Sequence, residues 1–155
     1  SRTGFMNKVI HIYKIRTMKK DSEKNGPEWS SYNDNRITKV GKFLRTTRID
    51  ELPQLFSVIK GEMSLIGPRP ERQEIDEELK KEIKFYRNRY IVRPGISGWA
   101  QVNYNYGASI KDSKIKFSYD MFYIKNKSFF LDFLIFFKTI KVVFTGQGSK
   151  PKINF

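Results

Sequence analysis

The 155-residue sequence contains no cysteine and a single histidine, His11. The absence of cysteine excludes disulfide bonds, thiolate catalysis and cysteine-ligated zinc sites within this sequence. A single histidine excludes any catalytic or metal-binding scheme that needs two. The sequence also lacks an uninterrupted apolar run of about 18 residues, the length that a simple membrane-spanning helix requires.

Acidic residues are scarce as well, since 16 Asp and Glu stand against 30 Lys and Arg, for a formal net charge of +14. This balance predicts an anionic partner, which could be nucleic acid, an acidic membrane surface or a phosphorylated small molecule. No nucleic acid is expected, because the sequence has no RNP-type aromatic signature, no zinc-finger spacing and no dense basic run. No glycine-rich P-loop is present either, which argues against an NTPase.

The composition, with 39% hydrophobic and 15% aromatic residues, predicts a folded core in one domain. The sequence opens without methionine on Ser-Arg-Thr-Gly, and we expect it to be a fragment of a longer protein. We expect the domain to cover residues 1–148, with a flexible tail at 149–155.

Apolar spacing predicts an α+β fold that is predominantly helical, with a small N-terminal β element and several amphipathic helices, some at a membrane interface. The strand is expected at 8–15 and long loops at 19–35 and 93–107. The helices are expected at 36–47, 51–60, 71–90, 109–126 and 128–145. Asp50 would cap the second of these helices.

Six phenylalanines at 129–144 would lie within one helical arc of roughly 120°. One interpretation is a core helix whose aromatic face is buried inside the domain. The other is a helix that lies in the membrane interface, with Lys138 and Lys141 directed towards lipid phosphates. The sequence leaves both open.

The adjacent carboxylates Asp50 and Glu51 begin a predicted helix between basic residues. The structural interpretation is ordinary capping, because Asp is a good N-cap and Glu is favourable in a first helical turn. The functional interpretation makes Asp50 a nucleophile. The N-terminal end of a helix keeps such a carboxylate ionised, and its free backbone amides can bind an incoming phosphate. Glu51 could then ligate Mg²⁺ together with substrate phosphates.

Several cationic or polar side chains are candidates for binding a phosphorylated substrate. Arg69 stands between two prolines that fix its backbone direction and so favour bidentate phosphate binding. Arg93 precedes Gln101 in a glycine-rich segment that could clamp a base or a sugar. Lys14 and Arg16 alternate on the predicted strand and could face the same anion. Each of them could instead be a solvated or purely structural residue.

Four segments carry a resemblance to a known family: 13-YKIRTM-18, 49-IDELPQLFSVIKGEMSLIGPRPE-71, 92-VRPGISGWAQVN-103 and 119-YDMFYIKNKSFFLD-132. Together they resemble the bacterial sugar transferase family of monotopic polyprenyl-phosphate phosphoglycosyl transferases. The resemblance extends from about residue 1 to residue 148. Members carry a hydrophobic re-entrant helix before the strand, and this sequence is expected to begin after it.

The resemblance implies transfer of a sugar-1-phosphate, expected to be a hexose-1-phosphate, from a UDP-sugar to undecaprenyl phosphate at the cytoplasmic face of the bacterial inner membrane. UMP would be released, and the transfer would be the first membrane step of capsule, exopolysaccharide or other surface glycan synthesis. It implies that Asp50 forms a phosphosugar–aspartyl intermediate and that Glu51 holds Mg²⁺. The implied substrate-binding residues are Lys14, Arg16, Arg48, Arg69, Arg93 and Asp120.

An alternative from a different class is a non-catalytic basic module that binds anionic lipid or nucleic acid. A covalent adduct formed with a UDP-sugar would distinguish the enzyme from such a module.

Overall fold

The computed structural model describes residues 1–22, 34–104 and 109–145. Within them the chain is predominantly helical and carries two small two-stranded sheets, which confirms the predicted α+β class. The predicted loop at 19–35 lies largely outside the described residues, and the predicted tail at 149–155 lies wholly outside them. The domain boundary at 148 stays a prediction.

The first sheet pairs strand β1 (Arg2–Thr3) with strand β2 (Val9–Ile10) in antiparallel register, with Arg2 opposite Ile10. The predicted strand at 8–15 was therefore too long, because only its first part pairs with a strand. The amide of Ile15 donates to the carbonyl of Asp50 at 3.0 Å instead. The segment after β2 thus lies against helical elements.

The second sheet pairs strand β3 (Ser64–Ile66) with strand β4 (Gly95–Ser97) in parallel. The predicted loop at 93–107 was wrong over this part, since it contains β4 and a short helix. Glycine is required here for close approach rather than for a turn. A Cβ placed on Gly95 would lie 2.1 Å from the amide nitrogen of Gly67.

Six α-helices are described: α1 (Lys39–Thr47), α2 (Leu55–Ile59), α3 (Gln73–Glu82), α4 (Trp99–Asn103), α5 (Ile110–Lys125) and α6 (Phe129–Thr145). The predicted helices at 36–47, 109–126 and 128–145 are confirmed as α1, α5 and α6. Their starts have local chemical causes. The Thr38 hydroxyl accepts from the amide of Gly41 before α1, and Ser109 and Asp112 form a capping box at α5.

The predicted helix at 71–90 was wrong in its second half, because α3 ends at Glu82. Ile83 is extended and Phe85 has a left-handed φ of 61°, after which the chain forms a 3₁₀ helix at Tyr86–Ile91. The apolar stripe nevertheless continues across this break. It packs as one buried cluster of Leu79, Ile83, Tyr86 and Tyr90.

A second buried cluster joins β3, α5 and α6 through Ile66, Tyr123 and Ile135. The hydroxyl of Tyr123 donates to Asp132 at 2.8 Å, which satisfies a polar group inside this cluster. The second cluster therefore fixes the two long C-terminal helices against β3.

The close approach of β3 and β4 predicts a large difference between two glycine substitutions. Gly95→Ala places a methyl group against backbone atoms that cannot move independently, and should lower the free energy of unfolding by about 3 kcal/mol. Gly61 has a φ of 75°, but a Cβ added to it would meet no atom within 4 Å. Gly61→Ala should therefore cost only about 1 kcal/mol, from backbone strain.

Urea unfolding of both variants beside the wild type would measure the difference. Equal losses of stability in the two variants would contradict the proposed close packing of the parallel sheet.

Candidate active site

The two adjacent carboxylates lie on a 3₁₀ helix, Ile49–Gln54, which leads directly into α2. The prediction that Asp50 caps an α-helix was wrong. Arg48 ends α1 in a left-handed conformation with a φ of 60° and also precedes the 3₁₀ helix. Because this element begins before Asp50, both carboxylates fall in its first turn, where they are buried at 6% and 8% exposure.

Glu51 is held by two cations that come from distant parts of the chain. Lys14 Nζ lies 2.6 Å from Glu51 Oε1, and Arg69 Nη2 lies 2.7 Å from the same oxygen. Arg69 Nη1 makes a longer contact of 3.4 Å with Oε2. Burial by itself would raise the pKa of Glu51, but Arg69 and Lys14 hold that pKa well below its usual range. Glu51 is therefore ionised at neutral pH.

Asp50 differs from its neighbour because its Oδ1 is buried and has no hydrogen-bond partner among the described residues. Burial raises the pKa of Asp50, while the positive charge of Lys14 opposes the rise. A carboxylate oxygen that is desolvated and not hydrogen-bonded retains its basicity and its lone pairs. Asp50 is thus chemically suited to attack an electrophile or to bind a cation.

Lys14, Arg48 and Arg69 surround these two carboxylates, so three cations stand against two anions. Burial, together with the positive charge of Arg69, lowers the pKa of Lys14. Burial also lowers the pKa of Arg48. The negative charge of Glu51 opposes this decrease, and the positive charge of Arg69 adds to it. The excess of positive charge in a partly desolvated site favours an anionic ligand.

The loop that carries Arg69 is supported from behind by Arg89. Arg89 Nη2 donates to the carbonyl of Arg69 at 2.7 Å and to Asp120 Oδ2 at 2.8 Å, while Nη1 donates to the hydroxyl of Tyr86. Burial raises the pKa of Asp120 to about 6, although Arg89 lowers it. The structure therefore places Asp120 at 3% exposure, in a buried ion pair behind the Arg69 loop.

No described side-chain contact joins the remaining candidates to the two carboxylates. Arg16 and Arg93 are exposed. Gln101 Nε2 donates to the carbonyl of Ile96 at 2.9 Å, and its Oε1 is buried without a partner among the described residues. The structure thus brings Lys14, Arg48 and Arg69 to the carboxylates, and holds Asp120 and Gln101 within the protein scaffold.

Arg89 was not singled out by the sequence pattern. It lies between Tyr86 and Tyr90 in a run that also contains the exposed Arg87. A helical pattern would not separate the two arginines, because the change to a 3₁₀ helix decides which one turns inwards. The buried tyrosines on either side of Arg89 were the one signal in the sequence that could have identified it.

A magnesium ion can be tested against the donor atoms at this site. The described residues contain no group of three or more acidic, histidine or cysteine side chains that could hold a metal. Magnesium needs fewer, because it is bound through one or two carboxylates together with substrate phosphates. Among the described residues, Glu51 Oε2 has a single contact, the 3.4 Å one with Arg69, and so has a lone pair to offer. The site fits magnesium that takes most of its ligands from a phosphorylated substrate.

A large apolar surface lies on α6. The six phenylalanines of its arc are 47% to 87% exposed, so they do not form the core of the described domain. Ile135 is the residue of α6 that is fully buried. Lys138 does not point outwards, since it donates to Asn103 at 2.7 Å and lies over the ring of Trp99. Among the described helices, none has the length and apolarity to cross a membrane.

The ion-pair geometry predicts that Glu51 contributes to stability at neutral pH. Glu51→Gln removes the anion that Lys14 and Arg69 share. It should lower the free energy of unfolding by about 1–3 kcal/mol at pH 7, given that both cations are one-third exposed. A depressed carboxyl pKa stabilises the fold above the unfolded value of 4.5, and this contribution is lost as pH falls towards the folded value.

The difference between wild type and Glu51→Gln should therefore shrink when urea unfolding is repeated near pH 3. Glu78→Gln, at an exposed position of α3, is the matched control. A Glu51→Gln protein as stable as the wild type at pH 7 would contradict the structural importance of these ion pairs.

Comparison with known proteins identifies the family to which the chain belongs. The profile of the family described as "Bacterial sugar transferase" matches residues 1–146. The chain is 51% identical over 150 residues to a UDP-N-acetylgalactosamine-undecaprenyl-phosphate N-acetylgalactosaminephosphotransferase of Aeromonas hydrophila, covering 97% of this chain and 36% of the relative. It is 38% identical over 151 residues to a UDP-glucose:undecaprenyl-phosphate glucose-1-phosphate transferase of Escherichia coli (strain K12), covering 96% and 32%.

An uncharacterised sugar transferase of Bacillus subtilis (strain 168) is 38% identical over 147 residues, covering 95% of this chain and 69% of the relative. The chain spans about a third of the length of the two larger relatives. Because the family profile covers nearly the whole sequence, including both the carboxylate pair and the Arg69 loop, this chain belongs to the bacterial sugar transferase family.

Proposed function

We propose that the chain transfers a sugar-1-phosphate from a UDP-sugar to undecaprenyl phosphate and releases UMP. The observation that carries the proposal is the buried, unbonded carboxylate oxygen of Asp50 beside a cluster with excess positive charge. The names of the relatives support the substrate class, since they include both N-acetylgalactosamine and glucose transferases that act on undecaprenyl phosphate. The reaction would be a first step of surface glycan synthesis.

In the first step, Asp50 Oδ1 attacks the phosphorus atom that carries the sugar. A new bond forms between this oxygen and phosphorus, and the bond from phosphorus to the bridging oxygen breaks. UMP leaves with the electron pair of that bond. Burial favours the attack, because a carboxylate that is not stabilised by water or hydrogen bonds is a stronger nucleophile.

In the second step, a phosphate oxygen of undecaprenyl phosphate attacks the same phosphorus. The bond between phosphorus and Asp50 breaks, and the carboxylate is restored as leaving group. The lipid now carries the sugar through a diphosphate. Each step substitutes one oxygen for another at phosphorus, so the reaction consumes no oxidant or reductant.

The surrounding cations lower the electrostatic barrier to both steps. A carboxylate that approaches a diphosphate meets strong repulsion, which fixed positive charges offset most effectively in a partly desolvated site. Lys14 and Arg69 already contact Glu51, and Arg48 stands at the start of the same 3₁₀ helix. The exposed Arg16 and Arg93 would supply further positive charge for the outer phosphate groups.

Magnesium is the implied cofactor, and Glu51 is the residue that would hold it. When bound, the ion neutralises negative charge on the diphosphate. Asp120 acts on the site through Arg89, which holds the carbonyl of Arg69. Gln101 donates to the carbonyl of Ile96, and its buried Oε1, which has no partner among the described residues, would be the atom that contacts the substrate.

The cytoplasmic membrane face is the proposed location, because undecaprenyl phosphate is a membrane lipid. The exposed phenylalanines of α6 supply an apolar surface for docking there. The helix α1 contacts both α6 and the 3₁₀ helix of Asp50, and Phe43 of α1 is exposed as well. This arrangement brings the apolar surface close to the carboxylates.

A non-catalytic module that binds anionic lipid is the second candidate, favoured by the exposed phenylalanines and the net charge of +14. It would need the same apolar surface but no reactive carboxylate. The two candidates differ in whether Asp50 forms a covalent adduct with the sugar phosphate of a UDP-sugar.

Asp50→Asn should abolish formation of a covalent phosphosugar adduct and leave the fold intact. Asn has the shape of Asp, and its substitution removes a buried charge rather than a satisfied hydrogen bond at Oδ1. Incubation with Mg²⁺ and either UDP-N-acetylgalactosamine or UDP-glucose, followed by intact-mass measurement, should show the adduct in the wild type only.

The control is Glu78→Gln, which removes an exposed carboxylate from α3 and should form the adduct normally. An adduct of undiminished yield on Asp50→Asn would show that Asp50 is not the nucleophile. Absence of an adduct from the wild type with a panel of UDP-sugars would favour the lipid-binding module.

The exposed phenylalanines of α6 should make the chain bind anionic vesicles more strongly than neutral ones. Each phenylalanine that enters the interface removes apolar area from water at roughly 25 cal/mol per Å². Exposed lysines such as Lys141 add about 1 kcal/mol apiece near anionic headgroups. Phe133→Ser/Phe137→Ser should weaken flotation with phosphatidylglycerol-containing vesicles, and added salt should weaken it further.

Phe85→Ser is the matched control, because Phe85 is also exposed but lies in the break after α3. It should float like the wild type. Equal flotation of the double serine variant and the wild type would show that α6 is not the docking surface.

A further inference from the structure

An open cleft of about 330 Å³ lies beside the carboxylate cluster and is not used by the steps described above. Its lining residues are Ser1, Arg2, Ile12, Lys14, Arg72 and Glu74. Lys14 is shared with the active site, since its Nζ bonds to Glu51. The cleft is therefore continuous with the carboxylate cluster through one side chain.

Two arginines meet across this cleft because the backbone pairs them. Arg2 on β1 forms an isolated antiparallel bridge with Arg72, which precedes α3. Residues directly opposite each other in such a bridge project to the same face, and like charges placed there are destabilising. The position of β1 is fixed independently, because the hydroxyl of Thr3 donates to the buried Asp76 of α3 at 2.7 Å.

The positive charge of Arg2 is only partly compensated by nearby carboxylates. Glu71 and Glu74 both act to raise the pKa of Arg2. Burial and the neighbouring charge of Arg72 nevertheless lower this pKa to about 10. A guanidinium that is partly desolvated and repelled by another one gains most from an anion placed between the two.

The chemistry of the lining favours a water-soluble ligand over a lipid. Ile12 is the one apolar side chain among the lining residues, whereas the exposed phenylalanines that could receive an acyl chain lie on α6. The volume is at the lower end of the range of about 300–1,000 Å³ for small-molecule sites. Arginines can hold a diphosphate bidentately, and the Glu74 carboxylate can accept hydrogen bonds from sugar hydroxyls.

We infer that this cleft binds the nucleoside diphosphate portion of the donor, with Arg2 and Arg72 on phosphate oxygens and Glu74 on ribose hydroxyls. The inference rests on the proposed function and extends it, because it assigns the leaving nucleotide to one side of Lys14 and the reacting phosphorus to the other. Lys14 would then contact both the nucleotide phosphate and Glu51.

The test is a binding measurement that does not require turnover. Isothermal titration of the 155-residue chain with UDP, UMP and inorganic pyrophosphate should show binding to the wild type. Arg2→Gln and Arg72→Gln should each weaken UDP binding by about tenfold, the loss expected for one charge-assisted hydrogen-bonding partner. Arg87→Gln removes an exposed arginine from the 3₁₀ helix after α3 and should bind UDP as the wild type does.

If Arg72→Gln does not fold, Arg72→Lys keeps the charge, loses the bidentate geometry and should still weaken binding measurably. UDP binding that is equal in the wild type and both glutamine variants, or absent from the wild type, would overturn the inference. A loss of farnesyl phosphate binding in the variants without a loss of UDP binding would also overturn it, by assigning the cleft to the lipid acceptor.

Adduct formation, measured separately by intact mass, distinguishes this inference from the proposed function. Weaker UDP binding in the two variants supports the nucleotide site even if the wild type forms no adduct. An adduct on the wild type combined with unchanged UDP binding in both variants supports the transferase and rejects the cleft.

Discussion

The carboxylate of Glu51 is the point at which three distant segments of the chain meet. Lys14 reaches it from the segment after β2, and Arg69 reaches it from the proline-flanked turn after β3. Glu51 itself stands on the 3₁₀ helix between α1 and α2. Because two cations share one oxygen of a buried carboxylate, the positions of all three segments depend on one another. Asp50 takes its place in the site from this junction.

The scaffold behind the junction is stiff for two different reasons. The parallel strands β3 and β4 approach so closely that Gly95 and Gly67 leave no room for side chains between their backbones. In addition, Arg89 donates hydrogen bonds both to the carbonyl of Arg69 and to the buried Asp120 of α5, and so links them. A loop whose backbone is held by close packing and by a buried ion pair loses little further entropy when its arginine binds a phosphate.

Polar and apolar surfaces are separated around this stiff centre. The cleft of Arg2 and Arg72 contains charged groups and a single aliphatic side chain. The exposed phenylalanines of α6 provide the apolar surface, connected to the 3₁₀ helix of Asp50 through α1. In the proposed transfer, the nucleotide and the lipid phosphate would therefore approach the same carboxylate from different surfaces.

The sequence by itself determined the local elements and the chemistry of the central motif. Helical spacing was sufficient to predict α1, α5 and α6, because that signal acts within a few residues. The DELPQ and GPRP strings sufficed to single out Asp50, Glu51 and Arg69. Tertiary structure alone decided that α3 breaks at Ile83 and that the phenylalanines of α6 face outwards. It also decided that Arg89 is buried whereas Arg87 is not, since burial depends on contacts between segments that no local pattern records.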